Sequence, residues 1–281
     1  PLTEEDQAQM FVDIMPEGPA DDGIAYLNFY LEEDADKETI LRDVRNALEE
    51  LRTFMDIGEA TIEESQTEDK DWINNWKEFF HQFYVDDILI VPSWEEVKEE
   101  DKDKMILHID PGTAFGTGMH ETTQLVIRQL KKYVKPGIEL LDVGTGSGIL
   151  GITALKLGAG HVVGTDLDPC AVPAVQDNKE ANQIVDETFD MMIGNIIDDK
   201  EVQDQVGYEK YDIVAANILA DVLVPLTPVI VHQMKKGAYY ITSGILDVKE
   251  EVVKEAVQNA GLTLVEVTKQ GEWVCVTARK D

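Results

Sequence analysis

Residues 140–151 read L-L-D-V-G-T-G-S-G-I-L-G, and Asp166 follows Gly144 by 22 positions in the run G-T-D-L-D-P. An apolar strand, a carboxylate near its tip, a glycine-rich turn and a helix start together make a cradle for a nucleotide. Glycines let the backbone approach a ligand closely, and the helix N-terminus offers unpaired N–H groups. An acidic residue closing the next strand can take both hydroxyls of a ribose. Two spellings share these residues. Gly146, Gly148 and Gly151 form G-x-G-x-x-G, the dinucleotide pattern of an NAD-dependent dehydrogenase, with Asp166 at about the expected distance. Gly144, Gly146 and Gly148 form G-x-G-x-G, with Asp142 two places ahead. A carboxylate beside a pyrophosphate would repel it, so Asp142 speaks against the dinucleotide.

The second spelling resembles the first motif of class I S-adenosylmethionine-dependent methyltransferases. There the acidic residue near the strand end faces the amino-acid portion of the cofactor, and no pyrophosphate needs a seat. A later strand, Y-D-I-V-A-A, runs into Asn217-Ile218-Leu219. At such a tip an Asn amide oxygen can accept from an amine, with the carbonyls of Ile218 and Leu219 pointing outward. The competing reading makes Asn217 an ordinary helix N-cap. Upstream, D-P-G-T-A-F-G-T-G-M-H-E-T-T over 110–123 places three glycines in seven residues before His120 and two threonines. This segment, with Phe115 at its centre, reads as a lid that orders over the ligand. His120–Glu121 lacks the second His of H-E-x-x-H, the five histidines show no metal spacing, and no G-x-S-x-G elbow is present. Zinc protease and serine hydrolase chemistry are therefore unsupported.

Around these residues the chain is organised as alternating strands and helices. Ile24–Leu31 reads as a strand, Asp36–Phe54 as a helix with apolar residues at helical spacing, and Glu59–Ser65 as a short strand. Thr67–Tyr84 carries Trp72, Ile73, Trp76, Phe79, Phe80 and Phe83 at helical spacing, a linker helix packed on a domain rather than a ligand box. Ile88–Val91 and Met105–Ile109 read as strands around the acidic loop 95–103. From Glu121 the pattern is α/β: strands at Glu139–Val143, His161–Thr165, Thr188–Ile193, Tyr211–Ala216 and Ala238–Thr242, joined by helical crossovers, imply a parallel sheet. A helix over Val248–Ala260 and a hairpin of Leu262–Thr268 with Trp273–Ala278 close the chain.

The 281 residues suffice for one large domain and a small one, and no apolar run approaches the ~18 residues of a membrane helix. Two cysteines, Cys170 and Cys275, cannot build a disulfide framework, and with no signal peptide visible the expectation is a reducing cytoplasm. Against 24 Lys plus Arg stand 56 Asp plus Glu, a net charge of −32. Such a surface makes nucleic acid a poor direct partner and would steer a basic protein inward, unless the acidity serves only solubility. The chain begins with Pro rather than Met, and a preceding segment is expected.

The blocks D-P-G-T-A-F-G-T-G-M-H-E-T-T, D-V-G-T-G-S-G-I-L, D-L-D-P and A-N-I-L, with W-I-N-N-W-K-E-F-F and V-P-S-W, are similar to the bacterial ribosomal protein L11 methyltransferases (PrmA) from about Ile24 onward. The resemblance implies an α/β class I fold: a Rossmann-like, mostly parallel seven-stranded sheet with an antiparallel last strand. It also implies a small N-terminal α+β ferredoxin-like domain, incomplete here because its first strand–helix–strand is missing. Residues 1–66 would form that substrate-recognition domain, 67–84 the linker helix and 85–281 the catalytic domain. The implied activity is S-adenosylmethionine-dependent methylation of the α-amine and lysines of a basic ribosomal protein, L11, by a cytoplasmic monomer without nucleic acid or membrane partners. Cofactor binding would fall on Thr123, Gly144, Asp166 and Asn217, with Phe115, Asp142, Gly146 and Gly148 beside them. Asn217, Ile218, Leu219 and His120 would serve the reaction, and no metal is implied. A different protein or small-molecule substrate on the same fold is the alternative.

Overall fold

The computed structural model describes residues 36–54, 57–58, 60–62, 80–110, 116 and 118–281. The chain divides into two compact units, Pro1–Thr67 and Glu68–Asp281. In the first, helix α1 (Lys37–Leu51) begins at Asp36, whose Oδ1 accepts the Thr39 N–H at 3.2 Å. That contact satisfies one of the N–H groups every helix start leaves unpaired. No strand occupies 60–62, where Ala60 has a φ of +49°. The remainder of the strand expected over 59–65, the strand over 24–31 and the aromatic stretch 67–79 lie outside the described residues.

The second unit corrects the end of the expected linker helix. Phe83–Val85 is a strand, β1, paired antiparallel with β2 (Ile88–Val91) across the turn Asp86–Asp87. The run F-Y-V-D-D-I-L-I-V is rich in aromatic and branched residues around a two-residue turn, so pairing with β2 prevails over continued helix. Strand β3 (Met105–His108) adds parallel to β2. Helix α2 (Glu121–Tyr133) follows, then β4 (Glu139–Val143), α3 (Ile149–Lys156), β5 (His161–Asp166), α4 (Ala171–Ala181), β6 (Phe189–Ile193), α5 (Lys200–Val206), β7 (Tyr211–Asn217), α6 (Ala220–Ile230), β8 (Met234–Leu246), α7 (Glu250–Asn259), β9 (Leu262–Gln270) and β10 (Trp273–Lys280).

The main sheet has the order β6-β5-β4-β7-β8-β10-β9. Strands β4 to β8 are mutually parallel, and β10 inserts antiparallel between β8 and β9. This is the expected seven-stranded arrangement and differs from the six-stranded parallel sheet of a dinucleotide dehydrogenase. Successive residues of each central strand alternate between two buried faces. Leu141, Val143, Val163, Val214 and Ala216 pack in one core with α5 to α7, while Leu140, Val162, Ile213 and Ala215 share the other with α2 and α3. Burial on both faces explains why these strands read as near-continuous apolar runs.

Candidate active site

The tips of three neighbouring strands carry the candidate residues. In the register, Val143 of β4 pairs with Thr165 of β5 and with Ala216 of β7. Gly144, Asp166 and Asn217 therefore stand side by side at the C-terminal edge of the sheet, where ligands of parallel α/β sheets bind. The topology switches here, because β5 leaves to one side of β4 and β7 to the other.

The glycine turn is built from backbone bonds and two carboxylates. Gly144 and Thr145 donate their N–H groups to Thr165 O at 2.8 and 3.0 Å, and Gly148 donates to Thr145 O at 2.9 Å. Gly144 (φ +71°) and Gly148 (φ +80°) are left-handed, and a Cβ on Gly144 would lie 2.6 Å from the Ile218 side chain. Any other residue would fill the cradle and strain the turn. Asp166 Oδ2 accepts the Gly146 N–H at 2.8 Å and its Oδ1 accepts the Asp168 N–H at 3.0 Å. Each oxygen keeps a further lone pair for a ribose hydroxyl.

Asp142 is fully buried beneath the turn. Its Oδ2 accepts from Thr145 Oγ1 at 2.8 Å and from the Gly151 N–H at 3.1 Å, while its Oδ1 has no partner. Burial pushes the carboxyl up to about 6, opposed by those two hydrogen bonds and reinforced by the Asp166 charge. Asp142 pairs with Ala215, so alternation puts Asn217, two residues further on, on the same face. The Asn217 amide donates to Thr123 Oγ1 at 3.1 Å, and its buried Oδ1 is likewise without a partner. Two buried acceptors thus lie on one face at adjacent strand tips, a costly arrangement unless a donor is supplied.

Helix α2 brings the remaining residues. His120 is its N-cap: Nδ1 accepts the Thr122 N–H at 3.3 Å and meets Thr122 Oγ1 at 2.8 Å, with the ring edge-on to Trp273 at 4.8 Å. Thr123 is buried. Gly116 and Gly118 pack against Ser147, Ile149 and Ile90, whereas Phe115 lies outside the described residues.

The outward carbonyls expected at Ile218 and Leu219 are not found. Leu219 O accepts from Val222 and Leu223 N–H at 2.9 and 3.0 Å, because it caps α6. Ile218 O faces β8, where a Cβ on Gly244 would come within 2.4 Å of it. Their contribution is to shape the tip, and half-exposed Leu219 offers only its side chain. Thr145, Ser147 and Asn178 were not among the expected site residues. Thr145 was legible as the third residue after Asp142, but Ser147 and Asn178 have partners 31 and 68 residues away and no local signal.

The donor set fits S-adenosylmethionine: a close backbone cradle, a carboxylate for the ribose, and buried acceptors toward an ammonium. Comparisons with known proteins agree. Residues 3–281 match the model of the family described as ribosomal protein L11 methyltransferase (PrmA). The ribosomal protein L11 methyltransferase of Agathobacter rectalis is 55% identical over 284 residues, covering 100% of this chain and 88% of the relative. That of Lachnospira eligens is 57% identical over 280 residues, covering 99% and 88%. The crystal structure of ribosomal protein L11 methylase from Lactobacillus delbrueckii subsp. bulgaricus superposes with a TM-score of 0.64 at 30% identity, covering 72% of this chain and 100% of that one. The chain belongs to the ribosomal protein L11 methyltransferase family.

Proposed function

We propose that this S-adenosylmethionine-dependent methyltransferase methylates amino groups, the α-amine and lysines, of ribosomal protein L11. The observation that carries the reading is the pair of buried, unpartnered acceptors, Asp142 Oδ1 and Asn217 Oδ1, on one face at the strand tips. Asp142 would hold the ammonium of the cofactor's amino-acid portion, the Gly144–Gly148 turn its backbone-facing side, and Asp166 its ribose hydroxyls. When bound, the cofactor supplies an electrophilic sulfonium methyl group. Asn217 Oδ1 would accept an N–H of the incoming amine and aim its lone pair along the S–CH₃ bond.

A free lysine has a pKa of about 10.4, so the amine must lose its proton before attack. Seating it among buried groups favours the neutral form, and alignment supplies the rest. His120 stands at the edge of this arrangement, with Nδ1 committed to Thr122. The first 66 residues would recognise the substrate and the chain from β1 onward, 83–281, would carry the reaction, with 67–82 as the link between them. The net charge of −32 suits a basic protein substrate and disfavours direct contact with nucleic acid. A ribosomal protein as substrate supports a cytoplasmic enzyme, which we propose acts as a monomer; among the described residues no helix is long and apolar enough to cross a membrane.

Incubating purified L11 with the enzyme and S-adenosylmethionine should raise the L11 mass in whole methyl increments, mapped by peptide mass spectrometry to amino groups. An unchanged L11 mass, with cofactor bound, would overturn the substrate assignment.

A further inference from the structure

Helix α4 reaches the glycine turn through a buried side chain that belongs to none of the motifs above. Asn178 accepts the Asp110 N–H on its Oδ1 at 3.0 Å and donates from Nδ2 to Ser147 O at 2.9 Å. Ser147 in turn donates from Oγ to Gly116 O at 2.5 Å. Asp110 and Gly116 both lie in the connection from β3 to α2. One buried pair of side chains therefore holds that connection at two points, and the two residues hold each other. Ser147 is 1% and Asn178 2% exposed, so neither bond has water as an alternative.

The surroundings admit little slack. A Cβ on Gly116 would lie 2.7 Å from Ser147 Oγ, so the hydroxyl occupies the space a side chain would need. Val175, one turn before Asn178, closes on Gly148, where a Cβ would meet it at 3.0 Å. One turn later, Asn182 accepts the His108 N–H at 2.9 Å and donates to His108 O at 2.6 Å, fastening the end of β3 to the same helix.

We propose that Ser147 and Asn178 are positioning residues for cofactor binding: they preorganise the glycine turn by clamping it to Asp110 and Gly116. The proposal rests on the reading that this turn seats S-adenosylmethionine. Asn178 fixes the carbonyl of Ser147, whose peptide includes the Gly148 N–H that donates to Thr145 O, so the turn keeps one conformation before the ligand arrives. Without the clamp, binding must order the turn as well as fill it, and affinity falls while turnover on the loaded enzyme is spared.

Isothermal titration of Ser147→Ala, Asn178→Ala and the double variant with S-adenosylmethionine tests this, alongside thermal unfolding and kcat at saturating cofactor. Each single variant should raise the cofactor Kd about tenfold, the scale of one lost buried hydrogen bond, with kcat within about twofold. The double variant should lose little more than either single, because the bonds act as one unit. A Kd for Ser147→Ala equal to wild type, or a lowered unfolding temperature with unchanged Kd, would overturn the proposal and leave the pair purely structural. If Asn178→Ala does not fold, Ser147→Ala, which removes only a hydroxyl, decides alone. A wild-type protein that binds no S-adenosylmethionine would instead overturn the cofactor seat itself, and the proposal with it.

Discussion

At Asp142 the cost of burial opposes the charge that its proposed contact with the cofactor's ammonium needs. Its folded pKa is raised from 3.8 to about 6, so the folded protein holds a proton that the unfolded chain releases. The stability from that proton is fully present below pH ~4 and is lost as pH rises to about 6, on the order of 3 kcal/mol. Asp142→Asn keeps an oxygen for Thr145 and Gly151 and removes the charge. Urea unfolding should find it more stable than wild type above pH 6, yet calorimetry should find it weaker toward S-adenosylmethionine. Wild-type affinity should also tighten as pH rises through 6, since in the proposed contact it is the ionised form that would accept from the cofactor's ammonium. A flat wild-type profile between pH 5 and 7.5 would exclude that contact. Asp166→Ala should weaken cofactor binding by about 1.5–3 kcal/mol, the range for hydrogen bonds to charged groups, partly through the freed Gly146 N–H. Asn217→Ala should lower kcat more than cofactor affinity, because aligning the amine matters most in the transition state. Normal turnover on L11 would reduce Asn217 to a strand end tied to Thr123.

At the scale of elements, the site depends on how closely β7 and β8 approach at their tips. Ile218 donates to Ser243 O at 3.2 Å, and its carbonyl lies over Gly244, whose φ is +84°. Gly244→Ala would meet both a left-handed backbone and the Ile218 carbonyl. Gly261→Ala, with a φ of +82° and nothing within 4 Å, would meet the backbone cost alone. Equilibrium unfolding should show roughly 1–2 kcal/mol lost at Gly261 and about 3 kcal/mol or more at Gly244. Only the second should disturb Asn217 and reduce activity. Equal losses would mean that the strand tips can part freely. The β1–β2 turn is held in the same spirit: Arg128 of α2 donates to Asp86 at 3.0 Å and to Gln270 of β9 at 2.6 Å, joining two sheets through the helix that carries Thr123.

Across the whole molecule, the net charge of −32 acts on a cationic substrate before any contact forms. The Debye length is about 10 Å at 0.1 M salt, so added salt shortens the reach of this field. Steady-state kcat/KM for L11 should fall several-fold between low and high ionic strength, whereas the cofactor Kd should change little, because its seat is mostly backbone and buried groups. A salt-independent kcat/KM would leave the acidity with solubility as its only role.

Periodicity and turn chemistry made the strands, the glycine turn and the candidates Asp142, Asp166 and Asn217 readable from the residues alone. These are local properties: an apolar run, a glycine where φ must be positive, a carboxylate at a strand end. Two things were not local. The helix expected to continue through Phe83 and Tyr84 yields to β1, since pairing with β2 depends on a partner strand and not on spacing. The carbonyl of Leu219 is consumed by α6, a helix with Pro225 and Pro228 inside it and therefore a weak pattern in the sequence. Only the folded chain brings Thr123 to Asn217, 94 residues apart, and Asn178 to Asp110, 68 apart. It alone buries Asp142, because the charge state of a carboxylate depends on how much water the surrounding packing leaves it.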